Sequence, residues 1–436
     1  MNLKGENTVT TATATLESFS TPERTIPQFS LAERDRRWNI ARQIMEEKDL
    51  EGLVVFGSRE GAFPAPFSMD NFFTNDRPGA IVVFPREGEP RVLAFALAAN
   101  DHMQAMARGE AVWIRPENYY AGAPNGKLLA LLMQEVGIGE NRVGVIGLDP
   151  YPAFYFDGAM PYHIWKAVLD TFPQGTFLQV GDRFYELTAS RSAEELEVLK
   201  WSADVGEAMS IAMRDTTRPG VTEGDIYSAI VGTCPKHVGF TAEILLQSGK
   251  DFISFGPPSW NYRPRAPRVI EQGDVVAGEI FSSLGMMESQ HQVTVAVGKV
   301  HEDYERAADV ARAAYDAGVD ALRPGRSFGE VAEAMQVPLK EAGGFNVHPL
   351  IHSINPFGLV CGFGEGFNQL PGADRYALVA EVPTIGADVE IQPGMCFSME
   401  PSCMFGRRYV NLGGTVVAGE GKAIELNSVT THMMRV

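Results

Sequence analysis

The chain has 436 residues, 45% hydrophobic and 21% charged, with a formal net charge of −18. That size gives room for two or three domains with buried cores, and no apolar run approaches the roughly 20 residues of a membrane span. No basic-then-apolar leader opens the chain, so a cytoplasmic protein with no membrane partner is expected; the acidic balance argues against nucleic acid, whose phosphates need basic patches.

Residues 1–30 are rich in Thr, Ser, Glu and Pro and lack apolar periodicity, which predicts an arm without a core of its own that packs on a partner subunit. From Leu31 a helical stripe of Trp38, Ile40, Ala41, Ile44 and Met45 predicts a helix over 31–48. Apolar, β-branched runs at 52–56, 80–84, 91–95 and 143–147 follow as strands, with helices near 97–108 and 126–136 between some of them. This alternation predicts an α/β domain with a mixed sheet over 31–186. Ser192 with Glu195 forms a capping box that opens a long amphipathic helix to about 215, and residues 187–436 read as a second domain. Two further helices over 302–322 and 327–343 are separated at Pro324-Gly325, repeating the Arg-Pro-Gly turn of 218–220. Two helix pairs, each followed by strands, indicate an internal repeat and an α+β chain overall. The cysteines (Cys234, Cys361, Cys396, Cys403) have neither framework nor Cys-x-x-Cys spacing and read as reduced thiols.

The stretch 273–298 carries the chemistry. Gly273-Asp274 opens it, Gly285 turns it, and Val293-Thr294-Val295-Ala296-Val297 closes it, which reads as two antiparallel strands with Glu279, Gln290 and Gln292 on one face. His291 falls on the opposite face by alternation. Glu400 sits in the apolar run Phe397-Ser398-Met399-Glu400-Pro401, where an unpaired carboxylate is costly, so a partner, a substrate or a raised pKa must accompany it. His352 taken alone reads as a core histidine held by backbone.

These motifs resemble the creatinase, prolidase and methionine-aminopeptidase family, the M24 or pita-bread family, over about residues 33–430. The resemblance implies an N-terminal creatinase-type domain followed by a pita-bread catalytic domain. It also implies a homodimer with shared sites, in which the segment Phe72 to Arg77 reaches the partner's cleft. In metal-dependent members two Asp, one His and two Glu gather two ions. Those five places hold Glu279, Gln290, His352, Glu400 and Gly413 here, so no metal and no other cofactor is expected. The family's base histidine is replaced by Tyr262, and its later histidine by Leu359. Creatinase works without metal, and its Met-Glu-Pro glutamate and its histidine are retained as Glu400 and His352.

The expected activity is therefore creatinase-like hydrolysis of a C–N bond in a small organic substrate, with His352, Glu400 and Tyr262 catalytic. Glu279, Gln290, Gln292, Trp260, Phe73 and Arg77 would bind substrate. Aromatic residues on the site loops (Phe252, Phe255, Phe357, Phe363, Phe367) point to a substrate with an apolar part. The alternatives are a lyase, a metal-dependent Xaa-Pro peptidase and a binding module without catalysis.

Overall fold

The computed structural model describes residues 25–57, 69–148, 159–251, 256–377 and 381–436. It begins with α1 (Leu31–Lys48), whose start is fixed by Ser30, the side chain accepting the Glu33 amide at 3.2 Å. Its apolar stripe covers a mixed sheet of β1 (Gly52–Phe56), β2 (Ile81–Pro85), β3 (Arg91–Phe95), β4 (Tyr119–Gly122), β5 (Arg142–Ile146) and β6 (Thr176–Gln179). The spatial order is β4-β3-β2-β1-β5-β6, antiparallel at β1–β2 and β2–β3 and parallel at the other pairings. Helices α2 (Met69–Thr74), α3 (Ala96–Ala107), α4 (Gly126–Glu135), α5 (Tyr162–Thr171) and α6 (Gly181–Thr188) accompany this sheet. Val54, Val83, Val143 and Val145 bury one face and Leu53, Val55, Val82 and Phe84 the other. Strand alternation thus gives the sheet a core on each side.

A second set of elements starts at α7 (Ala193–Thr216), opened by the Ser192–Glu195 capping box, and α8 (Glu223–Lys236), opened by a second box at Thr222. There follow β7 (Ile244–Gly249), β8 (Val275–Leu284), β9 (Met287–Ala296), α9 (Glu302–Ala321), α10 (Phe328–Ala342) and β10 (Ile351–Ser353). The chain then forms β11 (Cys396–Met399), β12 (Ser402–Phe405), β13 (Arg408–Asn411), β14 (Gly413–Ala418), β15 (Ala423–Glu425) and β16 (Met434–Arg435). The main sheet runs β10-β11-β14-β9-β8-β7, all antiparallel, with β15 added on β14 and β16 on β9. Helices α7 and α8 back β8 and β9, while α9 and α10 pack into the cluster that holds Phe397, Met399 and Val416. Each helix pair thus serves one half of the sheet, and the halves meet where β9 pairs β14.

The two sets of elements are tied through α1. Arg37, 2% exposed, bonds Glu33 at 2.7 Å and approaches Glu195 of α7 at 3.3 Å, with its guanidinium over the rings of Phe29 and Phe72. Phe29 is buried with Trp113, Val198 and Leu199, so the end of the expected arm packs into its own chain. The rest of that arm, residues 1–24, lies outside the described residues. Among the described residues no helix is long and apolar enough to cross a membrane.

Candidate active site

Register fixes which side chains share a face of the β8–β9 hairpin. Glu279 pairs Gln292, Phe281 pairs Gln290 and Ser283 pairs Glu288, and partners across an antiparallel pair project to the same side. The other side carries Val276, Ile280, Val293 and Val295 into the core beneath α7 and α8. His291 is on that helix side, fully buried, with Nε2 3.7 Å from Glu207 of α7, as alternation requires.

Glu279, Gln292, Glu400 and His352 form one buried cluster drawn from both halves of the sheet. Gln292 donates through Nε2 to Glu279 Oε1 at 2.9 Å and to Glu400 Oε2 at 3.0 Å, while its Oε1 accepts from Asn411 Nδ2. Glu279 and Glu400 are held on the same Gln292 amide and interact directly, an arrangement that favours a proton on one of the two carboxyls. Burial is the main reason that Glu279 is pushed up to about 8 and Glu400 well above the usual carboxyl range; their mutual repulsion adds to the rise of Glu400. His352 Nδ1 donates to the Ser353 carbonyl at 2.9 Å, which leaves the Nε2 lone pair facing Glu400 Oε1 at 3.4 Å. Burial also lowers His352 to about 4. The contact therefore joins a neutral imidazole to a protonated or proton-sharing carboxyl, because burial opposes both charges of an ion pair. Phe357 closes over the imidazole edge to face, ring centres 4.3 Å apart.

Gln290 and Glu288 continue the same face toward the turn. Gln290 Nε2 donates to Glu288 Oε1 at 2.8 Å, and both residues are buried. Beneath the cluster His348 Nε2 accepts the Tyr409 hydroxyl, and its Nδ1 donates to the Pro349 carbonyl at 3.0 Å. Glu288, Asn411, His348 and Tyr409 were not singled out by sequence reading. The period of two did offer Glu288, which stands two residues before Gln290. The others are brought in by β13 and by the chain before β10, which no local pattern announces.

The remaining expected residues are placed elsewhere. Tyr262 follows the short turn Ser259–Asn261, 57% exposed beside Arg263 and outside the hydrogen-bonded cluster. Trp260 packs edge to face on Tyr227 of α8. Phe73, expected to reach a partner's cleft, is wholly buried in its own chain against Phe84 and Phe184, because α2 turns its apolar side to the first sheet. Arg77 is exposed and paired with Asp101 at 2.8 Å. Phe252 and Phe255 lie outside the described residues.

Two helix pairs serving one antiparallel sheet, with a carboxyl–imidazole cluster across its centre, define a pita-bread hydrolase fold. The chain belongs to metallopeptidase family M24, whose pattern it matches over residues 197–429. It is 24% identical over 308 residues to a probable dipeptidase PepE of Mycobacterium tuberculosis, spanning 63% of this chain and 73% of that protein. It is 25% identical over 241 residues to a Xaa-Pro dipeptidase of Lactobacillus helveticus, spanning 53% of this chain and 57% of that one. Among solved structures, dipeptidase PepE from Mycobacterium ulcerans superposes with a TM-score of 0.66 at 20% identity over 94% of this chain and 99% of that one. The X-Pro aminopeptidase from Thermotoga maritima gives 0.67 at 14% identity over 92% of this chain and 99% of that one.

The residues present do not fit the metal pair that the family name implies. Gly413 has φ +106, and a Cβ there would lie 2.1 Å from the Met399 carbonyl oxygen, so the backbone itself bars a ligating side chain at that place. Gln290 supplies an amide where a charged bridging group is needed, and burial drives Glu279 and Glu400 toward protonated forms that cannot ligate until the proton is lost. Among the described residues no group of three or more His, Cys, Asp or Glu is arranged to hold a metal ion.

Proposed function

We propose that the chain is a metal-independent hydrolase that cleaves a C–N bond in a small organic molecule, with Glu400 and His352 as its acid and base. The observation that carries this reading is the contact, at 3.4 Å, of a neutral imidazole nitrogen with a carboxyl that burial and the neighbouring Glu279 drive toward its protonated form. Two groups so placed can split the proton transfers that water attack needs. The names of the relatives, dipeptidase and Xaa-Pro dipeptidase, support a C–N bond as the one broken.

In this reading the substrate's electrophilic carbon lies over the cluster with a water beside His352 Nε2. The water oxygen attacks carbon while its proton passes to Nε2, and the proton shared by Glu400 and Glu279 goes to the departing nitrogen. The C–N bond breaks with its electron pair on nitrogen. Imidazolium then returns the proton to the Glu400 carboxylate, and the cluster regains its starting charge. His352 is a weak base when buried alone, but the carboxylate formed as Glu400 gives up its proton stabilises the imidazolium. Gln292 holds both carboxyls in register throughout.

The test is turnover of a panel of small amides, amidines and N-alkyl amines, with wild type against Glu400→Gln. Release of an amine with incorporation of solvent oxygen, lost in the variant, is expected. An unsaturated product without solvent oxygen would replace hydrolysis by elimination. Turnover that survives in a folded Glu400→Gln protein ends the assignment. We extend the reading to a homodimer in which exposed Arg77 completes the second copy's site. Mixed Arg77→Ala and Glu400→Gln chains should then recover part of the turnover lost in each, and no recovery after verified subunit exchange removes the shared site.

A further inference from the structure

We infer that Glu288 and Gln290 form a subsite for a positively charged nitrogen of the substrate, of the ammonium, amidinium or guanidinium class. The inference rests on the reading that the Glu279–Glu400 face is the site, and adds what that face selects. Both side chains project to this face from β9, Glu288 3% and Gln290 2% exposed. Gln290 gives its amide hydrogen to Glu288, and its own Oε1 has no hydrogen-bond donor among the described residues. A buried acceptor left without a donor is destabilising, and a bound N–H group would remove that penalty.

Charge decides between a neutral donor and a cation. Among the described residues Glu288 has Gln290 as the one hydrogen-bond partner of its side chain, and no Lys or Arg pairs with it. Glu279, Glu288 and Glu400 thus place three carboxyls on one face, with His352 held neutral. A neutral amide would satisfy Gln290 and gain little from Glu288, whereas one N–H₂⁺ or N–H₃⁺ group can donate to Gln290 Oε1 and to the Glu288 carboxylate together. Burial keeps the Glu288 carboxyl raised to about 7 in the free protein, the state expected of an acid awaiting its counter-ion.

The subsite is already built. The Glu288 backbone is held on both sides by Asn355, its N–H donating to Oδ1 at 3.0 Å and its carbonyl accepting Nδ2 at 2.7 Å. Phe281, paired across from Gln290 on the same face, supplies an apolar wall for the hydrocarbon that carries the charge.

Titration calorimetry with benzamidinium and its neutral counterpart benzamide tests this without any need for turnover. Wild type should bind benzamidinium at least about 10-fold more tightly than benzamide. Glu288→Gln keeps an acceptor for Gln290, and should weaken benzamidinium about 10- to 100-fold while leaving benzamide unchanged, the scale of one hydrogen bond to a charged group. Equal binding of the two probes by wild type, or of benzamidinium by wild type and a folded Glu288→Gln, overturns the subsite. Should Glu288→Gln fail to fold, Gln290→Met replaces it under the same criteria. Cation binding that depends on Glu288, without hydrolysis of any substrate, would leave the subsite standing and sink the hydrolase; the reverse pattern would do the opposite.

Discussion

The two faces of the β8–β9 hairpin are built from one chain at one register, yet they answer different demands. On the helix side Val276, Ile280, Val293 and Val295 meet Val205, Met209 and Ile226; Ser282 Oγ donates to the Ser202 carbonyl at 2.7 Å, while the buried His291 ring makes no hydrogen bond among the described residues and stands 3.7 Å from Glu207. On the other side Glu279, Glu288, Gln290 and Gln292 are as deeply buried, but their carboxyls are pushed toward neutrality and Gln290 Oε1 lacks a donor. The helix side buries one neutral imidazole among aliphatic side chains; the other side gathers several buried carboxyls held toward neutrality at a cost in stability, the pattern of a face shaped for a ligand.

The largest effect expected on this contrast comes from forcing the lost ligand back. Gly413→Glu must place a Cβ 2.1 Å from the Met399 carbonyl oxygen at φ +106, so it should abolish soluble folded protein or lower stability by at least about 4 kcal/mol. Expression yield and a urea melt decide it, and a stable protein that binds metal would refute the backbone argument. On the helix face Ile280→Ala should cost about 2–5 kcal/mol in urea unfolding, while turnover per folded molecule stays within about twofold. On the site face Glu400→Gln should show the mirror image. Turnover should fall about 100-fold or more, with a melting temperature equal to or above wild type. Stability loss in this variant, with turnover kept, would exchange the roles of the two faces.

A smaller effect is expected from pH. Glu279 rises from an ordinary 4.5 to about 8 in the folded chain, so between those values the folded state holds the extra proton. Its contribution to stability is full below about pH 4.5 and declines as pH climbs to about 8. The melting temperature should therefore fall between pH 5 and pH 8, and Glu279→Gln should flatten that slope. Turnover should fall above about pH 8, where Glu279 ionises beside Glu400. A wild-type slope of the opposite sign would mean that the acids are ionised and paired in the fold.

Much of this architecture could be read from residues. The Ser192–Glu195 box, the Arg-Pro-Gly turns and the alternation in 275–296 are local signals, and each fixes an element because capping and strand parity are decided by neighbours within a few positions. The same parity put His291 on the helix side. The chain motif around Glu400 and the Ile351-His352-Ser353 strand located the acid and the imidazole, although their contact depends on β10 pairing β11 across more than forty residues of chain. What stayed illegible was non-local. Asn411 enters through β13, Phe73 looks like a loop aromatic until α2 rolls it into a core, and Tyr262 matches a motif position whose ring the fold leaves in solvent.

The meeting of β9 with β14 has a bearing on how the protein behaves on warming. The ladder there is two residue pairs long, Gln292 with Gly413 and His291 with Gly414, and is stitched mainly by Thr294 with Asn411 and by Thr415 with Ser289 and Gln290. Glu279 and Gln292 stand on one bank of this join, His352 and Glu400 on the other. Any transient parting of the banks dismantles the cluster before either bank's own core is exposed, so activity acts as a strain gauge for the join. Heat should silence turnover several degrees before far-ultraviolet circular dichroism reports melting, and amide hydrogens of 413–415 should exchange with deuterium earlier than those of 276–280.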